Sequence, residues 1–174
     1  GTALVRALSA RRIEALVADR CTPVDTGVPW IETDTAHLLT AHADLLEEID
    51  LLYLLAWSTV PGTAESDPAA DLQQNVMENV KLLQALSGLR KPPRVVFIST
   101  GGAIYGGVKA RPCAECDCVH PIGAYAIGKM VIENYLALYR RQFGLDYLIA
   151  RPSNPYGIGQ RTDTAQGAIA VFLG

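Results

Sequence analysis

Tyr125 and Lys129 combine side chains and a spacing that can do proton chemistry. They bound the run Tyr125-Ala126-Ile127-Gly128-Lys129, in a stretch whose pattern predicts a helix. Four residues apart, both side chains fall on one helical face, one turn from each other. A phenol titrates near ~10 and is a poor base at neutral pH. Bringing it to roughly 7 takes about 4 kcal/mol of preferential stabilisation of the phenolate. An ammonium one turn away can contribute to that. The same spacing also arises in helices that merely pack a Tyr at an edge, so the surrounding residues decide its meaning.

A second cluster is Cys113, Cys116, Cys118 and His120, in the pattern Cys-x-x-Cys-x-Cys-x-His. Thiolates and an imidazole at short spacing are zinc ligands. Reduced thiols are the default in a cytoplasm, and Cys21 is remote in sequence, so no metal is expected. His37 and His42 fall on a predicted helix and are expected to be solvated or helix-capping. His120, just before Pro121, is expected to be structural.

The elements that must position these groups follow from periodicity. Helices are predicted over Thr2 to Ala10, Asp34 to Glu48, Asp67 to Ser87 and Pro121 to Phe143. Leu72, Val76, Val80 and Leu83 mark one face of the third. Gly88 and Gly144 end the last two, and Pro92-Pro93 blocks continuation. Buried strands are predicted over Ile13 to Ala18, Ile49 to Ala56, Arg94 to Thr100 and Leu145 to Arg151, with Ile31-Glu32 a strand end. Loops are predicted over Cys21 to Trp30, Ser58 to Asp67 and Gly101 to His120. Strands separated by helices imply an α/β fold with a parallel sheet and right-handed crossovers.

The chain has 174 residues, enough for one domain with a sizeable core. Hydrophobic residues at 49% and charged residues at 19% fit an ordered α/β protein rather than a disordered one. A net charge of −3 excludes a broad basic surface, so no nucleic-acid partner is expected. No apolar run approaches the ~18–20 residues that cross a bilayer, and no membrane partner is expected. The first residues lack a charged region followed by an apolar core, and a cytoplasmic location is expected by default. The chain opens at Gly1 directly into a helical pattern, and Ala168 to Gly174 reads as a helix cut midway. A fragment truncated at both ends is expected.

Several segments, taken in order, give a more specific reading. They are Asp19-Arg20 after a strand, Leu55-Ala56-Trp57 after another, and Asn75-Val76 in a helix. Further on come Ser99-Thr100-Gly101-Gly102-Ala103-Ile104-Tyr105-Gly106, Tyr125 to Lys129, and Arg151-Pro152-Ser153-Asn154-Pro155-Tyr156-Gly157. Together they resemble the extended short-chain dehydrogenase/reductases of the NAD-dependent epimerase/dehydratase family, in the branch of the UDP-glucose 4-epimerases. The resemblance covers almost the whole chain. It implies a Rossmann-type doubly wound parallel sheet, NAD as cofactor and a nucleotide-sugar substrate such as a UDP-hexose. Residues 1–152 would form the NAD-binding domain, and 153–174 would begin the substrate-binding region.

The resemblance also distributes roles. Gly1 would be the last glycine of a phosphate-binding turn whose strand and loop precede it. Asp19 would accept the adenosine ribose hydroxyls and favour NAD over NADP, although Arg20 beside it could take a 2′-phosphate. Asp34, with Thr35, would lie beside the adenine, and Asp34 or Thr35 would cap the helix that follows. Leu55, Ala56 and Trp57 would pass under the cofactor, with Trp57 replacing a small residue. Asn75 would face the active site, and Pro152 would border the cofactor. Asn154 and Gln166 would contact the substrate, Gln166 with Gly167 beside it.

Tyr125 would be the base and Lys129 its tuner and ribose anchor. The family's hydroxyl partner falls at Gly101, so the role passes to Ser99 or Thr100, which point to opposite sides of the strand. Thr100 is slightly preferred. Gly101-Gly102-Ala103 carries no carboxylate, which argues against dehydration, a reaction that needs an added acid and base. Epimerisation at C4 of a nucleotide-linked hexose is the expected activity. The alternatives are a sugar-nucleotide reductase or dehydrogenase, a non-catalytic NAD- or nucleotide-binding protein, and a zinc-stabilised interaction module. The helices Asp67 to Ser87 and Pro121 to Phe143 are those that pair in similar enzymes, so a homodimer is expected.

Overall fold

A computed structural model describes residues 1–21, 27–107 and 111–157. All five strands among them run parallel, in two sheets. Strand β1 (Val17–Asp19) pairs with β2 (Trp30–Glu32), Val17 opposite Trp30. Strands β3 (Leu51–Leu54), β4 (Arg94–Ile98) and β5 (Tyr147–Ala150) form the second sheet in that order. Phe97 stands at its centre, opposite both Leu54 and Ile149. Parallel neighbours require crossovers, and helices supply them between β3, β4 and β5. This is a Rossmann-like α/β fold: the alternating pattern implies the parallel α/β order, and the resemblance implies the Rossmann type.

Helix α1 (Thr2–Ala10) has the predicted bounds. The predicted helix over residues 34–48 is two helices, α2 (Thr35–Ala41) and α3 (Ala43–Glu48), meeting at His42. The predicted strand Ile13 to Ala18 shrinks to Val17–Asp19, and Ile13 and Leu16 are exposed rather than buried. Only its last residues find a partner strand in β2, and an unpaired apolar stretch has no ladder to join. The segment predicted as loop from Ser58 holds α4 (Pro61–Ser66), started by Pro61 in the first turn, where a missing N–H costs nothing.

The long helix predicted from Asp67 has three parts. Helix α5 (Pro68–Asp71) leads into a π-helical stretch, Leu72–Met77, and then α6 (Glu78–Ser87). Asn79 Nδ2 donates to the Asn75 carbonyl at 2.7 Å, a side-chain bond that competes with the helical ladder where the winding changes. Periodicity cannot reveal such a change, because the apolar face runs on through it. Asn75 and Val76 are the buried residues of this stretch.

Helix α7 (Ala124–Phe143) is the longest element. Its buried stripe, including Ala126, Lys129, Ile132, Glu133 and Leu136, is apolar except for one cation and one anion. Gly144 ends it in the left-handed conformation, with φ +73°, as a glycine C-cap should. Gly123 starts it at φ +85°, and Glu65 of α4 accepts the Ala124 N–H at 2.7 Å. The carboxylate lies where the helix dipole favours an anion. Leu83, Leu86, Val95, Phe97, Ile132, Leu136 and Leu145 are fully buried and form the core between α6, α7 and the three-stranded sheet.

Candidate active site

Strands β3 and β4 end beside the first turns of α7, and a cavity of about 260 Å³ opens there. Leu55 and Trp57 line it from beyond β3, Ile98 and Ser99 from β4, Tyr125 and Lys129 from α7, and Thr59 and Val60 from the next loop. The helix thus delivers both members of the Tyr-x-x-x-Lys pair to one cavity, at the carboxyl ends of parallel strands, where α/β folds place ligands.

Lys129 is only 3% exposed. Its Nζ donates to the Ile98 carbonyl at 2.8 Å and sits 3.9 Å from the centre of the Trp57 ring. Phe97 lies further off, at 4.9 Å. Burial draws its pKa from 10.5 down to about 8, and the Asp71 carboxylate partly opposes this. Tyr125 packs edge-on against Trp57 at 5.9 Å between ring centres. Burial, aided by the Asp71 charge, raises the phenol above its usual range. The protein's own groups therefore do not bring the phenol towards neutrality. The ammonium is turned towards the Ile98 carbonyl and the indole face, and lies 5.6 Å from the Tyr125 ring centre.

Ser99 Oγ and Trp57 Nε1 are buried and have no hydrogen-bond partner among the described residues. A buried polar atom left unpaired costs about 1–3 kcal/mol. Two of them on one cavity mark a place built to pair with something polar. Ser99, not Thr100, lines this wall. The Ser99 N–H continues the β4–β5 ladder to the Ala150 carbonyl at 2.8 Å, and Gly101 N–H to the Pro152 carbonyl at 2.6 Å. A Cβ on Gly101 would come within 2.6 Å of the Arg151 carbonyl oxygen. No side chain, hydroxyl or other, fits at Gly101 without a backbone shift.

Asn75 is 2% exposed and bonded within the protein. Its Oδ1 accepts the Ser58 N–H at 2.7 Å and the Ser58 hydroxyl at 3.1 Å. Its Nδ2 donates to Thr59 Oγ1 at 3.1 Å and to Asp71 Oδ1 at 2.9 Å. It thereby fastens the loop that follows Trp57 to the π-helical stretch. Asp71, Thr59, Gly128 and Glu65 belong to this neighbourhood and escaped the sequence reading. The one available signal was Asp71 four residues before Asn75, a spacing at which helical side chains meet.

A second, more open cavity of about 410 Å³ is lined by Arg20, Glu32, Thr33, Asp34 and His37. The sequence-predicted Arg20 and Asp34 meet here. Asp34 Oδ1 accepts the His37 N–H at 2.7 Å and caps α2, of which Thr35 is the first residue. Asp19 ends β1, and its Oδ1 accepts the Cys21 N–H at 3.1 Å. Gly1 is exposed and precedes α1. Leu55 and Ala56 are exposed at the end of β3.

Beyond β5, Arg151 donates from Nε and Nη2 to the two Glu133 oxygens at 3.0 and 2.5 Å, and from Nη1 to the Tyr105 hydroxyl at 2.7 Å. Those bonds hold its pKa above the usual value. Pro152 and Asn154 follow, both exposed, with Asn154 Oδ1 next to Gly102. Gln166 lies outside the described residues, as do Gly167 and the predicted helix after it. Cys21, Cys113, Cys116 and Cys118 are exposed free thiols, and no described residues group three or more metal-ligand side chains.

The model of the NAD dependent epimerase/dehydratase family matches residues 1–173. The chain belongs to this family. A curated member, the UDP-glucose 4-epimerase of Mycolicibacterium smegmatis, is 35% identical over 144 residues, which is 82% of this chain and 44% of that protein. The dTDP-4-dehydro-6-deoxyglucose reductase of Escherichia coli is 34% identical over 68% of this chain and 37% of its own. Among solved structures, the Thermus thermophilus UDP-glucose 4-epimerase in complex with NAD superposes with a TM-score of 0.87 at 29% identity. It is matched by 99% of this chain over 57% of its length. The Thermotoga maritima UDP-glucose 4-epimerase with UDP-glucose gives 0.81 at 27% identity, over 99% of this chain and 58% of its own. The chain thus spans about half the length of these relatives, or less. No helix among the described residues is long and apolar enough to cross a membrane.

Proposed function

We propose that this chain carries the NAD-binding and catalytic part of an enzyme that epimerises a nucleotide-linked hexose at C4, such as a UDP-hexose, through a transient 4-keto sugar. The observation that carries the reading is the cavity where Tyr125, Lys129 and Ser99 meet with two buried polar atoms unpaired. Those atoms suit a polar ligand such as NAD, and the buried ammonium suits a ribose or another hydroxyl-bearing group. Asp19, Arg20, Asp34 and Thr35 would hold its adenosine end, beside the start of α1 at Gly1. Leu55, Ala56 and Trp57 would floor its nicotinamide end, with Pro152 at the rim. NAD supplies the acceptor that takes hydrogen from C4 and returns it.

The chain's own residues do the rest. Tyr125 removes the proton of the 4-hydroxyl and gives it back. Its phenol is raised in the protein alone, so the phenolate forms only when positive charge lies beside it in the cavity. Lys129, held in place by the Ile98 carbonyl and the Trp57 face, does not lower the phenol by itself, so a further cation in the cavity must add to it. Ser99 donates a hydrogen bond to the reacting oxygen, and Thr100, one residue on, is the alternative donor. Asn75 keeps the floor in place through Ser58 and Thr59. The substrate-binding region would begin after Pro152, with Asn154 and Gln166 on the sugar nucleotide. Exposed Leu72, Met77 and Ile127 support pairing of two copies through the π-helical stretch and α7, and a cytoplasmic homodimer is the proposed form.

Interconversion of UDP-glucose and UDP-galactose by the full-length protein, with no net change in NADH absorbance, is the expected result. Net NADH consumption or formation with a nucleotide sugar would replace epimerisation by the second reading, a reductase or dehydrogenase. The reductase relative from E. coli favours that reading.

A further inference from the structure

Asp71 is a carboxylic acid only 2% exposed, at the junction of α5 and the π-helical stretch. Its Oδ1 takes hydrogen bonds from Asn75 Nδ2, at 2.9 Å, and from the Thr59 hydroxyl. Its Oδ2 lies towards α7, 3.4 Å from where a Gly128 Cβ would be. Gly128 stands immediately before Lys129 and three residues after Tyr125. Because it has no side chain, the helix can approach Asp71, Val76 and Trp57, whose nearest atoms would lie at 3.1 to 3.4 Å from an added Cβ. A buried negative charge is thereby brought against the part of α7 that bears the cation and the phenol.

We propose that Asp71 is the positioning residue of the Tyr125–Lys129 pair, holding the Lys129 ammonium charged through its buried carboxylate while it ties the Thr59 loop to the cavity wall. This rests on the catalytic reading given above. The environment leaves Asp71 little competition. Lys129 faces Tyr125 on its own helix, Trp57 from the loop after β3, and the Ile98 carbonyl, Phe97 and Ser99 from β4. Glu133, one turn further along α7, is engaged by Arg151, and Glu65 of α4 caps Ala124. Asp71 is the acid whose charge acts on both Lys129 and Tyr125, raising the affinity of each for its proton. An ammonium this deeply buried tends to lose its proton, and an acid nearby counters that tendency.

The test compares Asp71→Asn with Thr59→Val in the full-length protein. Asn keeps the shape and an acceptor for Thr59 and Asn75 but removes the charge. Val removes the loop anchor but leaves the charge. In D71N the pH profile of turnover should move to lower pH on both limbs, because Tyr125 and Lys129 each bind their proton less tightly. In T59V turnover should fall without that movement. The side-chain Cε and Hε resonances of Lys129, assigned with Lys129→Arg, report the same thing without any substrate. They should titrate near pH 8 in the parent and in T59V, and at lower pH in D71N. An unmoved Lys129 titration in D71N, or an equal shift in T59V, overturns the proposal. If nucleotide sugars are not turned over, the catalytic reading fails while the Lys129 titration still decides the role of Asp71.

Discussion

Two buried polar clusters lie one turn apart on the inner face of α7, and they are built in opposite ways. At Glu133 every strong valence is closed. Arg151 meets both carboxylate oxygens and also the Tyr105 hydroxyl. At Lys129 the cation has one carbonyl and an aromatic face, while Ser99 Oγ and Trp57 Nε1 beside it are unpaired. The closed cluster clamps three segments: α7, the end of β5 and the turn after β4. The open cluster retains unmet hydrogen-bonding capacity at a cavity. A buried pair that completes itself serves the fold, whereas one left incomplete is available to a ligand. The physical chemistry of burial is the same in both, and only the completion of partners differs.

The sharpest way to break this contrast is to remove the Tyr125 hydroxyl and the Glu133 carboxylate in turn. Tyr125→Phe should reduce turnover by about 10²–10⁴-fold, the usual share of general acid–base catalysis, with little change in unfolding midpoint. Turnover within a few-fold of the parent would mean the open cluster is not catalytic. Glu133→Ala should do the reverse. Leaving Arg151 inside without its anion costs about 3–5 kcal/mol of stability, readable as a lower urea midpoint. A small loss would show the closed cluster to be less essential to the fold than its bonding suggests.

Lys129→Met sharpens the comparison through pH. The folded-state pKa of Lys129 is depressed from 10.5 to about 8, so burying the ammonium destabilises the fold fully below pH 8. Between about 8 and 10.5 the unfolded chain binds more protons than the folded one, so the penalty fades as pH rises. Met carries no such penalty. The stability of the parent relative to K129M should therefore rise with pH across that window, by up to about 3 kcal/mol. Tyr125, shifted upward, acts in the opposite sense and only above about 10. Denaturant curves at pH 7 and pH 9.5 measure the difference, and a parallel pair of curves would contradict the burial cost.

The smallest effect concerns the hydroxyls. Ser99→Ala should lower turnover by about tenfold to a hundredfold, the worth of one hydrogen bond to a developing charge. Thr100→Ala should change it by less. The reverse order would move the donor role one residue along the strand.

Legibility in the sequence varied with the range of the interaction. The helix at Thr2–Ala10 was readable to the residue, because its bounds follow from local pattern. The end of α7 was readable from Gly144, because a left-handed cap asks for glycine. Helix α4, the break at His42 and the π-helical stretch were not readable. Helix α4 and the π-helical stretch are held by contacts with distant segments, Glu65 with Ala124 and Asn75 with Ser58. Thr100 was preferred over Ser99 from sequence, yet strand orientation at the end of β4 puts Ser99 on the cavity wall. The site residues Asp71, Thr59 and Gly128 carried no motif, since their role lies in who stands beside them.

By itself, the sequence determined the alternation of parallel strands and helices, the family, and the four-residue spacing that puts Tyr125 and Lys129 on one face. The alternation and the spacing follow from periodicity and from side-chain chemistry, which are properties of neighbours along the chain, and the family follows from the resemblance of its motifs taken in order. Only the tertiary structure decided the protonation setting of that pair. It put Lys129 under Trp57 and beside the Ile98 carbonyl, it brought Asp71 against Gly128, and it closed the Gly101 position to any side chain. Burial and charge act through space, so the affinity of Tyr125 and Lys129 for their protons is set by residues that the chain order keeps far apart.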